Sequence, residues 1–368
     1  MNVFVSAGEA SGDAYAGAIT RELNRLSSQQ GTQPLSISGI GGPRFREAGG
    51  KIIADSSRWG AISILQALKV VPKVLASYYR AKWAIRRLKP GLFIPIDFGY
   101  ANIRLARHAK GLGWKVLYFV PPGSWRRDRQ GKDLAALTDQ ISTPFSWSAE
   151  ILAQNGCNVH WFGHPIKQLL KERGVGQAPD HSERIAVLPG SRNHEIEMNL
   201  PLLVKVTEPI EFGLAPSTDL EAFKAKWAKI APGRTNDLFT LGDVYGVLTR
   251  SRAAIVCSGT ATLEAALCRC PMVVIYRLGK SAEVEAKIVR FKLPRFVALP
   301  NMLLERELVP ELIQSGATVD TVATEIHGLL TDPERRQNQL RGFEELDLML
   351  GESQAITKTA ELALSMLK

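Results

Sequence analysis

Short apolar runs alternate with helix-spaced patterns along all 368 residues of this chain, and that alternation constrains the fold more than any other feature. A strand, a covering helix and a further strand, repeated, is the pattern of parallel sheets packed on both faces. Strand-like runs fall at 2–6, 35–40, 92–95, 115–119, 140–142 and 159–162 in the first half, and at 185–188, 211–215, 253–257 and 272–276 in the second. Each set has its own glycine-bearing loops, and the chain is too long for one compact core. The expectation is an α/β protein of two Rossmann-like domains facing each other across a cleft. The first spans 1–165 and the second 166–350, with the junction in the Lys-, Gly- and Pro-rich stretch that opens at Gly163-His-Pro165. A last helix in 351–368, after the break at Gly351, is expected to dock back on the first domain.

Two of the loops carry a chemical signal. Ser258-Gly-Thr-Ala-Thr-Leu-Glu264 follows the run 253–257 and leads into the helical spacing Leu263, Ala266, Leu267; Leu188-Pro-Gly-Ser-Arg192 follows the run 185–188. A strand that ends in such a loop aims unpaired backbone N–H groups, and the positive end of a helix dipole, at one spot suited to phosphate. Two such loops in one half of the chain imply a diphosphate-linked ligand over the C-terminal edge of a parallel sheet. Arg192, beside the second loop, would neutralise a leaving diphosphate; the plainer reading is a surface ion pair with Glu195 or Glu197.

The net charge of +10 favours an anionic partner: nucleic acid, anionic lipid or a phosphorylated substrate. Cys157, Cys257, Cys268 and Cys270 show no metal spacing and the six histidines are scattered, so buried free thiols in a reducing cytoplasm are expected, with no metal and no resident cofactor. Residues 1–5 run straight into a glycine turn and read as a first strand, not a signal peptide. No apolar run approaches the roughly 18–20 residues of a spanning helix.

In the first half, Gly8-Glu-Ala-Ser-Gly-Asp13 sits between the first strand and a helix. Gly8 and Gly12 would let a substrate approach the backbone, with Ser11 or Asp13 on a sugar hydroxyl; a strand-to-helix turn capped by Ser11 or Asp13 is the alternative. Gly39-Ile-Gly-Gly-Pro-Arg44 repeats the theme after the second strand. Asp97 ends Leu92-Phe-Ile-Pro-Ile-Asp97, where an open sheet carries its active-site loops, and is a candidate general base, or else a cap for a helix near Asn102. Val120-Pro-Pro-Gly-Ser-Trp-Arg-Arg-Asp-Arg129 sets Trp125 beside Arg126, Arg127 and Arg129: forks for phosphate and a ring face for sugar or acyl chain, or a solvated basic loop. Residues 59–89 mix aliphatic and aromatic side chains with Lys69, Lys73, Arg80, Lys82, Arg86, Arg87 and Lys89, and contain no acid. That composition suits the headgroup boundary of an anionic bilayer. A core-packing helix pair with a basic face is the alternative, and nucleic acid is disfavoured because no known binding module is present.

Taken together these motifs resemble lipid A disaccharide synthases, inverting glycosyltransferases of the two-Rossmann-domain GT-B type. The resemblance is carried, in family order, by Ala7-Gly-Glu-Ala-Ser-Gly-Asp13, Gly41-Gly-Pro-Arg44, Ile96-Asp97 with Asn102, Gly163-His164, Leu188–Arg192 with Glu195 and Glu197, and Ser258–Glu264. It continues through Cys270-Pro-Met-Val-Val274 with Tyr276-Arg277, and Leu299-Pro-Asn301 with Arg306-Glu-Leu308. The resemblance implies transfer of 2,3-diacylglucosamine from UDP to the 6-hydroxyl of 2,3-diacylglucosamine 1-phosphate, at the inner face of the cytoplasmic membrane. It makes Asp97 the base and Arg192 the stabiliser of the diphosphate. Ser191 and the loop of Ser258, Gly259, Thr260 and Thr262 would hold UDP, with Glu264 on the ribose and Asn301 nearby. Gly8, Ser11, Gly12, Asp13, Asn102, Trp125 and Arg126 fall on the acceptor side. No metal is implied, and a homodimer is compatible with the family. The chain departs from the pattern at Tyr100, where a second Asp is usual, at Pro121-Pro-Gly-Ser-Trp-Arg-Arg127, and in a short region 198–224. These departures leave room for a relative acting on another UDP-sugar or lipid, or for a non-catalytic lipid- or nucleotide-binding relative. A UDP-sugar epimerase of the same fold is a further alternative, against which the basic stretch 59–89 argues because an epimerase needs no lipid surface.

Overall fold

A computed structural model of the chain describes residues 1–8, 10–31, 33–56, 59, 64–124, 133–174, 183–277, 279 and 294–368. The chain forms two units, Met1–Leu169 with Leu350–Lys368, and Leu170–Met349.

The first unit is built on seven strands: β1 (Asn2–Ala7), β2 (Ser36–Gly41), β3 (Lys51–Asp55), β4 (Leu92–Ile96), β5 (Lys115–Phe119), β6 (Gln140–Thr143) and β7 (Val159–Trp161). Their spatial order is β3-β2-β1-β4-β5-β6-β7, and every neighbouring pair is parallel. Both faces are covered, because successive side chains of a strand point to opposite sides. Val3, Val5, Ile94 and Ile96 pack with Ile19 and Leu23 of the helix Ala10–Gln29 and with Ile356, Ala360 and Ala363 of the terminal helix Ala355–Leu367. Phe4, Phe93 and Val116 pack on the other face with Ala81 and Ile85 of the helix Ile64–Arg87 and with Leu105. The Ser142 and Thr359 hydroxyls, 2.7 Å apart, join β6 to the terminal helix.

The second unit has six strands: β8 (Ile185–Leu188), β9 (Ile210–Leu214), β10 (Leu238–Leu241), β11 (Ala253–Cys257), β12 (Met272–Tyr276) and β13 (Glu311–Ile313). Their order is β10-β9-β8-β11-β12-β13, again parallel throughout. Val187, Phe212 and Ile255 pack with Leu200, Trp227 and Ile326.

These sheets bear out the α/β reading, and three strands absent from the sequence reading, β3, β10 and β13, lie at sheet edges. Each sheet also reverses its strand order once, between β1 and β4 and between β8 and β11. Loops leaving such a pair diverge to either side and open a crevice outside the carboxyl ends of the strands. Gly8 and Asp97 follow β1 and β4; Ser191 and Arg192, and Ser258 and Gly259, follow β8 and β11.

Candidate active site

At the first crevice the chain leaves β4 through an unusual turn. Asp97 and Phe98 are both left-handed, with φ of 47° and 48°, a conformation that Asp tolerates better than most side chains but that a bulky Phe adopts only when its surroundings enforce it. The enforcing groups are visible. The Asp97 N–H donates to Val120 O at 3.0 Å, and the Asp97 carbonyl accepts from the Asn102 side-chain amide at 2.9 Å and from the Tyr118 hydroxyl at 2.9 Å. Turning the chain this way leaves Asp97 exposed at the end of a wholly buried strand and swings the Phe98 ring over Gly8. A Cβ on Gly8 would lie 2.2 Å from that ring, so glycine is demanded by Phe98. Gly8, Gly12, Asp97 and Phe98 line a cavity of about 130 Å³.

The other acceptor-side residues of the sequence reading have different surroundings. Asp13 is buried, and its carboxylate accepts the N–H groups of Gly42 at 2.6 Å, Arg44 at 3.0 Å and Phe45 at 3.2 Å. It thereby caps the helix Pro43–Glu47, whose own N-cap, Gly42, has no side chain to do so. Gly39 to Gly41 belong to β2, so the loop expected from Gly39 starts at Gly42. Asn102 lies inside the helix Gly99–Gly111, with Phe98 at its N-cap; Asp97 is therefore not the helix cap of the alternative reading. Ser11 is half-buried in the first turn of the helix Ala10–Gln29. Trp125, Arg126 and the rest of 125–132 lie outside the described residues.

In the second unit the two loops that the sequence reading assigned to phosphate differ. Both had been expected to present unpaired backbone N–H groups; in the loop after β8 two of these amides are already engaged. Glu195 is buried; its Oε2 accepts from Ser191 N at 3.0 Å and Arg192 N at 3.2 Å, and its Oε1 accepts from Arg192 Nη1 at 2.7 Å. Gly190, at φ 117°, makes room, since a Cβ there would meet Glu195 Oε2 at 2.6 Å. What this loop offers a ligand is the Arg192 guanidinium, whose side chain is 28% exposed against 7% for Glu195.

The loop after β11 is built differently. Gly259, at φ 143°, is the N-cap of the helix Thr260–Leu267 and supplies no capping side chain; the Thr262 N–H bonds back to Gly259 O at 3.1 Å, and the positive end of the helix dipole lies at this loop. Its polar side chains brace the loop from beneath. The Ser258 hydroxyl donates to Val297 O at 2.8 Å; the Thr262 hydroxyl donates to Gly259 O at 2.8 Å and accepts from Leu299 N at 3.1 Å. Glu264, half-buried in this helix, accepts from the Tyr245 hydroxyl at 2.8 Å. Asn301 is buried: its amide donates to Val309 O and to Glu311 Oε1, and its oxygen accepts from Leu308 N and Val309 N. Glu311 in turn accepts from Val297 N and Ala298 N. Beneath the site Cys257 is a free thiol that burial pushes up to about 12, which makes it an inert core group.

The family model for lipid-A-disaccharide synthetase matches residues 3–365, nearly the whole chain. The chain belongs to that family. The lipid-A-disaccharide synthase of Koribacter versatilis is 31% identical over 377 residues, covering 99% of this chain and 97% of its own. Among solved structures, a UDP-N-acetylglucosamine 2-epimerase homologue from Listeria monocytogenes superposes with a TM-score of 0.64 at 12% identity, covering 99% of this chain and 95% of that one. The S. aureus MnaA–UDP co-structure gives 0.63 at 13%, covering 100% and 96%. Likeness at that identity carries the fold alone, while the sequence relationship makes this synthetase-family chain a glycosyltransferase and disfavours the epimerase alternative.

In this family member the sequence reading left three supports unnamed: Phe98, Tyr118 and Tyr245. Each has a plain core-like or helical context, and nothing in sequence marks a phenol as tethering a carbonyl. A separate surface lies on the helix Ile64–Arg87. Val71, Leu75, Tyr79 and Trp83 are 43%, 47%, 62% and 57% exposed, and their four-residue spacing makes one stripe. Lys73, Arg80, Arg86 and Arg87 are exposed around it, with the Arg87 guanidinium 3.8 Å above the Trp83 ring. Ser77, Ala81, Ala84 and Ile85 form the buried face. Among the described residues no helix is long and apolar enough to cross a membrane.

Proposed function

We propose that the chain transfers 2,3-diacylglucosamine from UDP to O6 of 2,3-diacylglucosamine 1-phosphate, with inversion at the anomeric carbon and release of UDP. The observation that carries this reading is the exposed carboxylate of Asp97 on an enforced left-handed turn beside the Gly8–Gly12 cavity, in a chain of this family. In a single displacement the acceptor O6 forms a bond to the donor's anomeric carbon as its proton passes to Asp97. The bond from that carbon to the β-phosphate oxygen breaks and its electron pair leaves with UDP. The developing charge on the diphosphate meets the Arg192 guanidinium and the positive end of the helix that starts at Gly259, groups already oriented before reaction. Glu264 takes the ribose hydroxyls. Asp13, Asn102 and Asn301 shape the walls and do not touch substrate.

Both substrates carry acyl chains, and the stripe Val71-Leu75-Tyr79-Trp83 with its surrounding cations suits the surface of an anionic bilayer. The reading therefore puts the enzyme at the inner face of the cytoplasmic membrane. The test is mass spectrometry of products after incubating UDP-2,3-diacylglucosamine, or its deacylated counterpart, with the monophosphorylated acceptor. The expected product is the acylated disaccharide 1-phosphate with stoichiometric UDP. No disaccharide from the acylated pair would refute the reading.

A further inference from the structure

The turn that presents Asp97 is over-determined, and its supports are unequal. Asn102 has two amide hydrogens but faces three carbonyls, Ser6 O at 3.0 Å, Ile96 O at 3.1 Å and Asp97 O at 2.9 Å. Its hold on Asp97 is shared. The Tyr118 hydroxyl has one hydrogen and gives it to Asp97 O at 2.9 Å. Tyr118 is fully buried in β5, packed with Leu134, Ile141, Leu152 and Cys157, so the direction of its hydroxyl is set by the core. Two residues along, Val120 is itself left-handed at φ 53°; its carbonyl takes the Asp97 N–H while its own N–H donates to Ser142 O at 2.8 Å. The end of β5 thus grips both peptide groups of Asp97.

We propose that Tyr118 is a positioning residue for transfer: its hydroxyl locks the left-handed peptide of Asp97 and so fixes where the carboxylate stands relative to the acceptor hydroxyl. The inference rests on the reading of Asp97 as the base. Burial, and after it the negative charge of Asp97, hold the Tyr118 phenol well above its ordinary range, so it remains a hydrogen donor at any working pH. Asn102 is oriented in the same frame by the Ser6 hydroxyl, which donates to its Oδ1 at 2.6 Å.

Tyr118→Phe removes one oxygen and leaves the packed ring. Its expected effect is a fall in kcat of about tenfold or more, as a displaced reacting group costs, with KM for both substrates, UDP affinity and melting temperature near wild type. Ser6→Ala, a smaller change at the far side of the clamp, is expected to lower kcat by a lesser factor with the same unchanged KM, and serves if Tyr118→Phe melts near assay temperature. Unchanged kcat in both variants would overturn the proposal, as would a loss that lies in KM or disappears on cooling away from the melting transition. Asp97→Asn, assayed alongside, separates the two claims. Near-normal turnover in that variant refutes Asp97 as the base, whereas an inactive Asp97→Asn beside fully active Tyr118→Phe and Ser6→Ala refutes only the role given to Tyr118.

Discussion

Glu195 shows how one buried carboxylate organises the loop after β8. It takes two backbone N–H groups and one guanidinium nitrogen at once, so it holds the strand-end loop and aims Arg192 together. Its loss would leave two amides of the loop without their acceptor and release the arginine; an unmade bond at such a site costs about 1–3 kcal/mol. Glu195→Ala is therefore expected to lower stability by that order and to weaken UDP binding, which denaturation and calorimetry measure. If stability drops while UDP affinity holds, Arg192 does not depend on Glu195 for its aim. Gly8 makes the complementary case in the first unit. An alanine methyl there would enter the Phe98 ring at 2.2 Å and push on the turn that carries Asp97. Gly8→Ala is expected to lose most transfer activity while UDP binding persists; full activity would show that Phe98 is free to yield. The sequence reading assigned the room at Gly8 to an approaching substrate, or else to a plain strand-to-helix turn; in the structure the group that comes close is the Phe98 ring. That partner was not legible in the sequence, since it lies ninety positions away on another strand's turn and only the sheet order makes them neighbours.

Elements repeat the lesson with a different cause. Strands buried on both faces, such as β4 and β11, are continuous apolar runs and were readable as such. The strands β3, β10 and β13 were not: the edge position of β3 permits Lys51 and Asp55 at its ends, β10 is only four residues long with Leu238 and Leu241 exposed, and β13 is three residues long and opens on Glu311, whose carboxylate serves the Val297 and Ala298 amides. The helix Ile64–Arg87 reads the other way: its sequence betrayed an acid-free basic, apolar composition, but only the exposed stripe shows which apolar residues are surplus to the core. Charges placed in that stripe should weaken membrane binding without touching chemistry. The double variant Leu75→Glu, Tyr79→Glu is expected to sediment poorly with vesicles containing anionic lipid, yet to turn over detergent-dispersed substrate like wild type. Equal sedimentation would remove this helix as the contact. The +10 net charge adds a long-range attraction that salt screens, so wild-type binding should itself fall between low and physiological ionic strength.

Across the whole chain, stability is tied to pH through His164, where the sequence reading put the junction between domains. The chain leaves the first unit after Leu169 and re-enters it at Leu350, and His164 N donates to Leu350 O at 2.8 Å. Its ring lies 5.3 Å from Phe145, and Nδ1 accepts from Ile166 N at 3.2 Å. Burial, with the Lys167 charge second, lowers this imidazole to about 3. An unfolded histidine titrates near 6.5, so between those values the unfolded chain binds a proton that the folded chain refuses. The sign follows: this contribution is complete above about pH 6.5 and is lost as pH falls towards 3, by about 1.4 kcal/mol per unit. Glu211 and Asp237, whose carboxyls Arg250 and Arg234 hold below their ordinary range against the opposing cost of burial, lose stability in the same direction. A bare acid titration would therefore mix their effects. His164→Asn isolates one: it keeps an acceptor for Ile166 N but cannot titrate. Its deficit against wild type, measured by denaturant unfolding at pH 7, 6, 5 and 4, should shrink by about 1.4 kcal/mol per unit below pH 6.5. A deficit independent of pH would mean that the imidazole accepts its proton in the folded chain, and that the junction is open to water.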